Sequence, residues 1–146
     1  MFDPAVINVD AARWARQYSY DLVSKLTDTT RRVVGNAVSS FIETPEMTIG
    51  DLRRQLEPAF GPVRSEMIAI TEVTRAYSAA TNQTQQRLNQ TGLPMQRVWL
   101  TRNDEKTCIL CGPLDGKPES VWAAEFPDGP PRHPNCRCSL GLEVVA

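Results

Sequence analysis

All four cysteines and the only histidine of this 146-residue chain fall between positions 108 and 138. Cys108 and Cys111 stand two residues apart in Cys108-Ile109-Leu110-Cys111-Gly112, and His133, Cys136 and Cys138 follow in His133-Pro134-Asn135-Cys136-Arg137-Cys138. Clustered cysteines are either a disulfide framework or a metal site. The first residues, MFDPAVINVD, lack the basic start and apolar run of a signal peptide, so the disulfide reading loses its main support. Two thiolates in a C-x-x-C turn reach one ion, and the glycine that follows is expected to supply the unusual backbone angles of that turn. Zn²⁺ takes four ligands in structural sites, and five candidates are present: Cys108, Cys111, His133, Cys136 and Cys138. His133 with Cys136 is the preferred second pair, Cys138 being a third option or a small buried apolar residue. Cys136 with Cys138 is also feasible. A redox C-x-x-C is disfavoured because no βαβ pattern precedes Cys108.

The rest of the chain divides near Gly92–Pro94. Upstream, the pattern is helical. Trp14, Tyr18, Leu22 and Leu26 step by four, and Val33, Val34, Ala37, Val38, Phe41 and Ile42 continue at three-and-four spacing. This predicts one amphipathic helix from 10 to about 42, roughly 50 Å long, capped by Asp10 and ended by Thr44-Pro45. Thr29–Thr30 or Gly35 offers a place to break it. Thr48 and Asp51 resemble a capping box and open a short helix bearing Ile49, Leu52 and Leu56, which stops around Pro58–Gly61. Pro62 suits the first turn of a helix over about 63–89, with Met67, Ile70, Val73, Tyr77 and Leu88 as buried positions, Gly92 at C′ and Pro94 as a stop.

Downstream, Gln96–Thr101 reads as a strand and Asp115-Gly116 as a turn. Residues 120–126 read as a short helix or extended piece, and 127–134 as a proline-rich loop. From Cys136, the alternation of Cys136, Cys138, Leu140, Leu142 and Val144 places these side chains on one strand face. The fold class is therefore α+β: a helical region, 1–92, packed on a small β-rich zinc-knuckle module, 93–146, which together form one domain. The module has loops and few large apolar residues, so zinc is its staple.

Charge limits function. Sixteen Lys and Arg face seventeen Asp and Glu, and the signs cancel in both halves. No basic stripe forms, so any contact with DNA is expected to be weak. No apolar run reaches the ~18 residues of a membrane span. Asp104 and Asp115 suit turn chemistry better than acid–base work. Glu72 and Arg75, one helical turn apart, suit a solvated ion pair. Trp14, Trp99 and Trp122 fit core or interface positions rather than a base-stacking platform.

Several blocks resemble those of the Mu-F-like minor head proteins of tailed bacteriophages, also called head morphogenesis proteins. Met67-Ile68-Ala69-Ile70-Thr71-Glu72-Val73-Thr74-Arg75-Ala76 resembles the family's I-A-x-T-E-x-x-R-A helix. Trp99-x-Thr101-x-x-Asp104 with Cys108-x-x-Cys111 resembles the next block, and Leu114-Asp115-Gly116-Lys117 its L-x-G-K turn. Pro130 to Cys138 resembles the closing P-P-x-H-P-N-C-R-C signature. The blocks keep the family's order. One departure is Ile70, where the family usually has a small basic or polar residue. The resemblance implies a non-enzymatic virion protein near the portal inside the phage head. Its partners would be portal and capsid proteins, with no small-molecule substrate, and it would occupy the host cytoplasm during assembly. Family members often carry further chain, and functions located there do not transfer. Two rivals come from other classes. A His-Asn-His-like treble-clef nuclease also follows a C-x-x-C knuckle, but it would need His133 as a base while the knuckle needs it as a ligand. A toxin-associated phage head module would need a longer parent chain.

Overall fold

The computed structural model describes residues 4–18, 20, 23, 26–105 and 107–145. Leu22 of the four-residue step lies outside them. Five helices and one two-stranded antiparallel sheet make an α+β fold among these residues.

The first helical run is two helices rather than one. α1 spans Pro4–Gln17 and α2 spans Asp28–Glu43. Thr27 starts α2: its side-chain oxygen accepts from the Thr30 amide at 3.1 Å, and Asp28 places negative charge in the first turn. The break therefore precedes both Thr29–Thr30 and Gly35. A single rod of that length would leave much of its stripe in water, whereas two shorter helices pack on each other. Gly35 sits within α2 at the closest approach to α1, where a Cβ would lie 3.0 Å from the Ala15 carbonyl oxygen. Its place is explained by that contact, not by a break. Asp10 is not a cap. It lies inside α1, 5% exposed, and pairs with Arg87 of a later helix and with Arg13 at 3.6 Å.

α3 spans Ile49–Phe60. Its capping box is complete: the Asp51 amide donates to Thr48 Oγ1 at 3.1 Å and the Thr48 amide to Asp51 Oδ2 at 3.0 Å. α4 spans Pro62–Gln90, with proline in the first turn. It is the spine of the molecule and touches α1, α2, α3 and both strands. Its buried positions differ from the predicted ones. Met67, Ile70, Val73, Tyr77 and Leu88 are half-buried, while Ser65, Ile68, Ala69, Glu72, Ala76 and Ala80 are sealed. A helix covered on several sides needs small side chains at its closest contacts, and a search for large apolar residues passes over them. The helical core joins Ala11, Ala15, Val34, Val38, Ile42, Leu52, Leu56 and these alanines.

The tail contains β1 (Met95–Leu100), a single 3-10 turn (Gly112–Leu114), α5 (Glu119–Trp122) and β2 (Ser139–Val144). β1 and β2 pair antiparallel from Met95↔Val144 to Leu100↔Ser139. β2 begins after Cys138, so Cys136 and Cys138 lie in the loop before it. They are buried while Val144 is exposed. The tail's core is Trp99, Trp122, Cys111, Cys136 and Cys138. The rings of Trp99 and Trp122 meet edge to face at 5.3 Å. Trp14 instead stacks on Tyr18 in the helical part, with centroids 4.3 Å apart.

Polar groups join tail to spine. Glu119 accepts from the Arg97 amide at 2.9 Å, from its guanidinium at 2.9 and 3.1 Å, and from Gln85 of α4 at 2.6 Å. Arg97 also donates to Asn82 of α4 at 2.9 Å and lies over the Trp122 ring.

Candidate metal centre

The Asp104–Thr107 turn leads into the knuckle. Thr107 donates its amide to the Asp104 carbonyl at 3.0 Å. The amides of Cys111 and Gly112 then donate to the Cys108 carbonyl at 3.0 and 2.9 Å, and the Leu110 amide points at Cys108 Sγ, 3.3 Å away. The turn brings both sulfurs to one side. Gly112 does not adopt positive φ, so the left-handed backbone expected there is absent. Its amide, not its flexibility, closes the turn. In the second half the left-handed residue is Asn135, at φ 64°.

That second half repeats the arrangement. The Cys136 amide donates to the His133 carbonyl at 3.2 Å, as Cys111 does to Cys108. The backbone from His133 to Cys136 thus turns as that from Cys108 to Cys111 does. α4 holds this loop through two hydroxyls one turn apart. Thr71 Oγ1 accepts from the Asn135 amide at 2.9 Å, and Thr74 Oγ1 donates to the Cys136 carbonyl at 2.7 Å. Arg132 donates to the Leu110 carbonyl at 2.7 Å, and Arg137 pairs with Asp104 at 2.6 Å, so the two halves are tied together. Gly129, at φ 79°, lets the preceding loop pass close to the strand. A Cβ there would meet Leu140 Cδ1 at 2.7 Å.

The structure brings all five sequence-predicted donors together. Cys108, Cys111 and His133 form one triad and Cys111, Cys136 and Cys138 a second, with the ligand atoms of each within 4.8 Å of one another. Cys111 belongs to both. No disulfide links the cysteines. A cavity of about 20 Å³ opens among Cys108, Cys111, His133 and Cys138.

The chemistry of the donors fits a metal ion. His133 Nδ1 lies 2.8 Å from the Pro134 carbonyl oxygen, which can only accept. The proton is therefore on Nδ1, and Nε2, 3.3 Å from Cys111 Sγ, presents its lone pair to the cluster. The Leu110 and Cys111 amides hold the Cys108 thiol below its ordinary pKa. Cys136 is pulled down to about 5, chiefly because the Cys138 thiol donates to it, with backbone amides assisting against burial. Cys138 is correspondingly pushed up, and the Trp99 indole acts on it in the opposite sense. The Trp99 N–H is buried and satisfied by no oxygen or nitrogen acceptor. Burial pushes Cys111 up to about 11. A shared, buried thiol of that kind is one that a cation would deprotonate.

Asp104 and Asp115 serve turns and ties. Asp115 accepts from the Thr101 amide at 2.9 Å and from Asn103 at 3.0 Å. Glu72 departs from expectation. It is 2% exposed and bonded to Arg75 Nε at 3.0 Å, so its carboxylate is buried, not solvated, and the arginine is half-buried. Burial pushes the Glu72 carboxyl above the usual range, against the pull of Arg75. The residues that sequence reasoning missed are Thr71 and Thr74, the Trp99 indole, and the Arg97–Glu119 pair. The two threonines had a readable signal, since i and i+3 spacing puts them on one helix face.

No helix among the described residues is long and apolar enough to cross a membrane. No curated protein and no solved structure matches the chain. A family model does: phage Mu protein F like protein matches residues 45–141, which take in α3, α4, β1 and all five donors. With well over half of its length covered by that model, the chain belongs to the phage Mu F-like family, whose context is phage head morphogenesis.

Proposed function

We propose that this chain is a minor head protein that acts by binding other head components at or near the portal, and that a structural zinc ion holds its binding surface in shape. The observation that carries the reading is the coincidence of the family match with the donor cluster: residues 45–141 contain both the spine helix and every donor. Zinc suits a thiolate-rich set with one imidazole. Cys108, Cys111 and His133, one gathered triad, would hold it, with Cys136, which shares Cys111 with them, as the fourth ligand. Cys138, whose thiol donates to Cys136, would support that sulfur from outside. The ion would supply no chemistry beyond fixing the loops.

The use of the site's side chains supports a non-catalytic role. The sole histidine faces the thiols, and the two loop aspartates are occupied by backbone and side-chain donors. A His-Asn-His-like nuclease would need His133 free. The balanced charge supports protein partners over DNA. We place the protein in the phage head interior, and in the host cytoplasm during assembly.

The test is location and partnership. Cryo-electron microscopy of the intact particle should place the chain beside the portal, and the purified chain should capture the same phage's portal protein. Nicking of plasmid DNA with Mg²⁺ by the purified protein, or sub-micromolar DNA binding at physiological salt without portal capture, would overturn the reading.

A further inference from the structure

The two edges of the sheet differ. Along β1, Met95, Arg97 and Trp99 turn their backbone groups away from β2. The Met95 amide donates to Asn89 Oδ1 at 2.8 Å, the Arg97 amide to Glu119 Oε1 at 2.9 Å and the Trp99 amide to the Lys117 carbonyl at 3.0 Å. The Trp99 carbonyl accepts in turn from the Gly116 amide at 2.8 Å. Bonded and non-bonded pairs alternate in an antiparallel ladder, so Gln96, Val98 and Leu100 bond across to Glu143, Gly141 and Ser139. The Val145 amide continues that set by donating to the Pro94 carbonyl at 2.9 Å. The backbone N–H and C=O groups of Leu140, Leu142 and Val144 therefore point out of the sheet. No described residue bonds to them.

Edge strands are commonly guarded by proline, lysine or a bulge. β2 contains no proline and no basic residue, and its register with β1 runs without a bulge. Its one charge, Glu143, lies on the opposite face from Leu142 and accepts from Gln96 at 2.6 Å. We propose that this edge pairs with the same edge of a second copy of the chain, antiparallel about Leu142. The strand's self-complementarity selects that occupant. With Leu142 opposite its own counterpart, Leu140 of each copy stands opposite Val144 of the other, and all three outward-facing residues exchange both their bonds. Apolar side chains meet apolar ones, and Glu143 stands opposite Gly141, so no like charges oppose each other. Val144, 56% exposed in the single chain, becomes covered. The far edge of β1 is already bonded, so the assembly closes at two copies and four strands. A four-stranded sheet also escapes the marginal stability of a two-stranded one. The inference is independent of the assembly role proposed above.

Sedimentation velocity of the full purified chain over a concentration series tests it, and a monomer–dimer equilibrium in the micromolar range is expected. Hydrogen exchange read amide by amide gives the register. The Leu140, Leu142 and Val144 amides should exchange quickly in dilute protein and slow as the dimer forms, while those of Gly141, Glu143 and Val145 stay protected throughout. Leu142→Pro removes an outward amide and no bond to β1, and Val144→Lys puts a charge on the edge. Each should weaken self-association by ~10-fold or more, because the two-fold axis counts each loss twice. Unchanged circular dichroism and metal content show that each variant is folded, and Val144→Lys carries the test alone if proline disturbs the strand. A chain that stays monomeric at every concentration, a dimer whose outward amides still exchange quickly, or a dimer indifferent to the variants would overturn the proposal. So would a monomer whose outward amides are protected only when the portal protein is added, since the edge would then take a foreign strand.

Discussion

The helical part and the tail solve the same problem with different materials. In the helices, apolar residues recur at helical spacing, and small ones such as Ala69, Ala76 and Gly35 let the backbones close on one another. Leu52 and Leu56 are fully buried among them. In the tail, a two-stranded sheet and two tryptophans surround cysteines, and loops supply most of the chain. A two-stranded sheet is marginal alone. Its apolar cluster contains the very sulfurs that would hold a metal, so core and ligand set are one object. The helices should therefore outlast the tail when the donors are lost.

The largest effect should follow removal of the shared thiol. Cys111→Ser disables both triads, and structural zinc contributes ~10 kcal/mol in small metal domains. Limited proteolysis should cut within residues 95–145 while helical circular dichroism largely persists. Cys136→Ser should behave similarly, and Cys138→Ser should keep its metal. Global loss of helix in Cys111→Ser would show that the two parts fold as one unit.

Leu52→Ala attacks the other side of the comparison. A fully buried leucine cut to alanine costs roughly 2–5 kcal/mol, read as a lower midpoint in thermal or urea unfolding. Metal content should not change.

The joint between the parts comes next. Glu119→Gln weakens charged hydrogen bonds at a partly exposed site, at a cost of about 1–2 kcal/mol. It also carries a pH signature. Burial raises the Glu119 pKa, but the Arg97 amide and guanidinium outweigh it and hold the carboxyl below the usual range. A depressed folded pKa gives stability that is present above the ordinary glutamate value and lost as pH falls through the folded one. The variant should therefore flatten the acid side of the stability curve. An unchanged acid limb would remove Glu119 from the joint.

Thr48→Ala should have the smallest effect, about 1 kcal/mol from the lost cap of α3. It should lower helix stability and leave the tail's protease resistance alone.

How much was legible follows the same division. α3, α4 and both caps were readable because Thr48-x-x-Asp51, Pro62 and Gly92 are local signals. The gathering of Cys108, Cys111, His133, Cys136 and Cys138 was readable because Cys and His have few other reasons to cluster. The break before α2 was placed two to three residues late, at Thr29–Thr30, since the Thr27 cap lies inside a continuous apolar rhythm. The buried face of α4 was misplaced because alanine and serine carry little hydrophobic signal, although packing from several sides demands them. Glu72 looked like a surface residue, for charge alone does not report what covers it. Thr71 and Thr74 act on a loop more than sixty residues away, a contact that only the tertiary fold reveals.

Metal stoichiometry is the most direct measurement of the central claim. Elemental analysis of protein purified without added metal should find close to one zinc per chain, with thiols that react only after chelation. Protein that contains no metal, yet keeps a protease-resistant tail and freely reactive thiols, would contradict it.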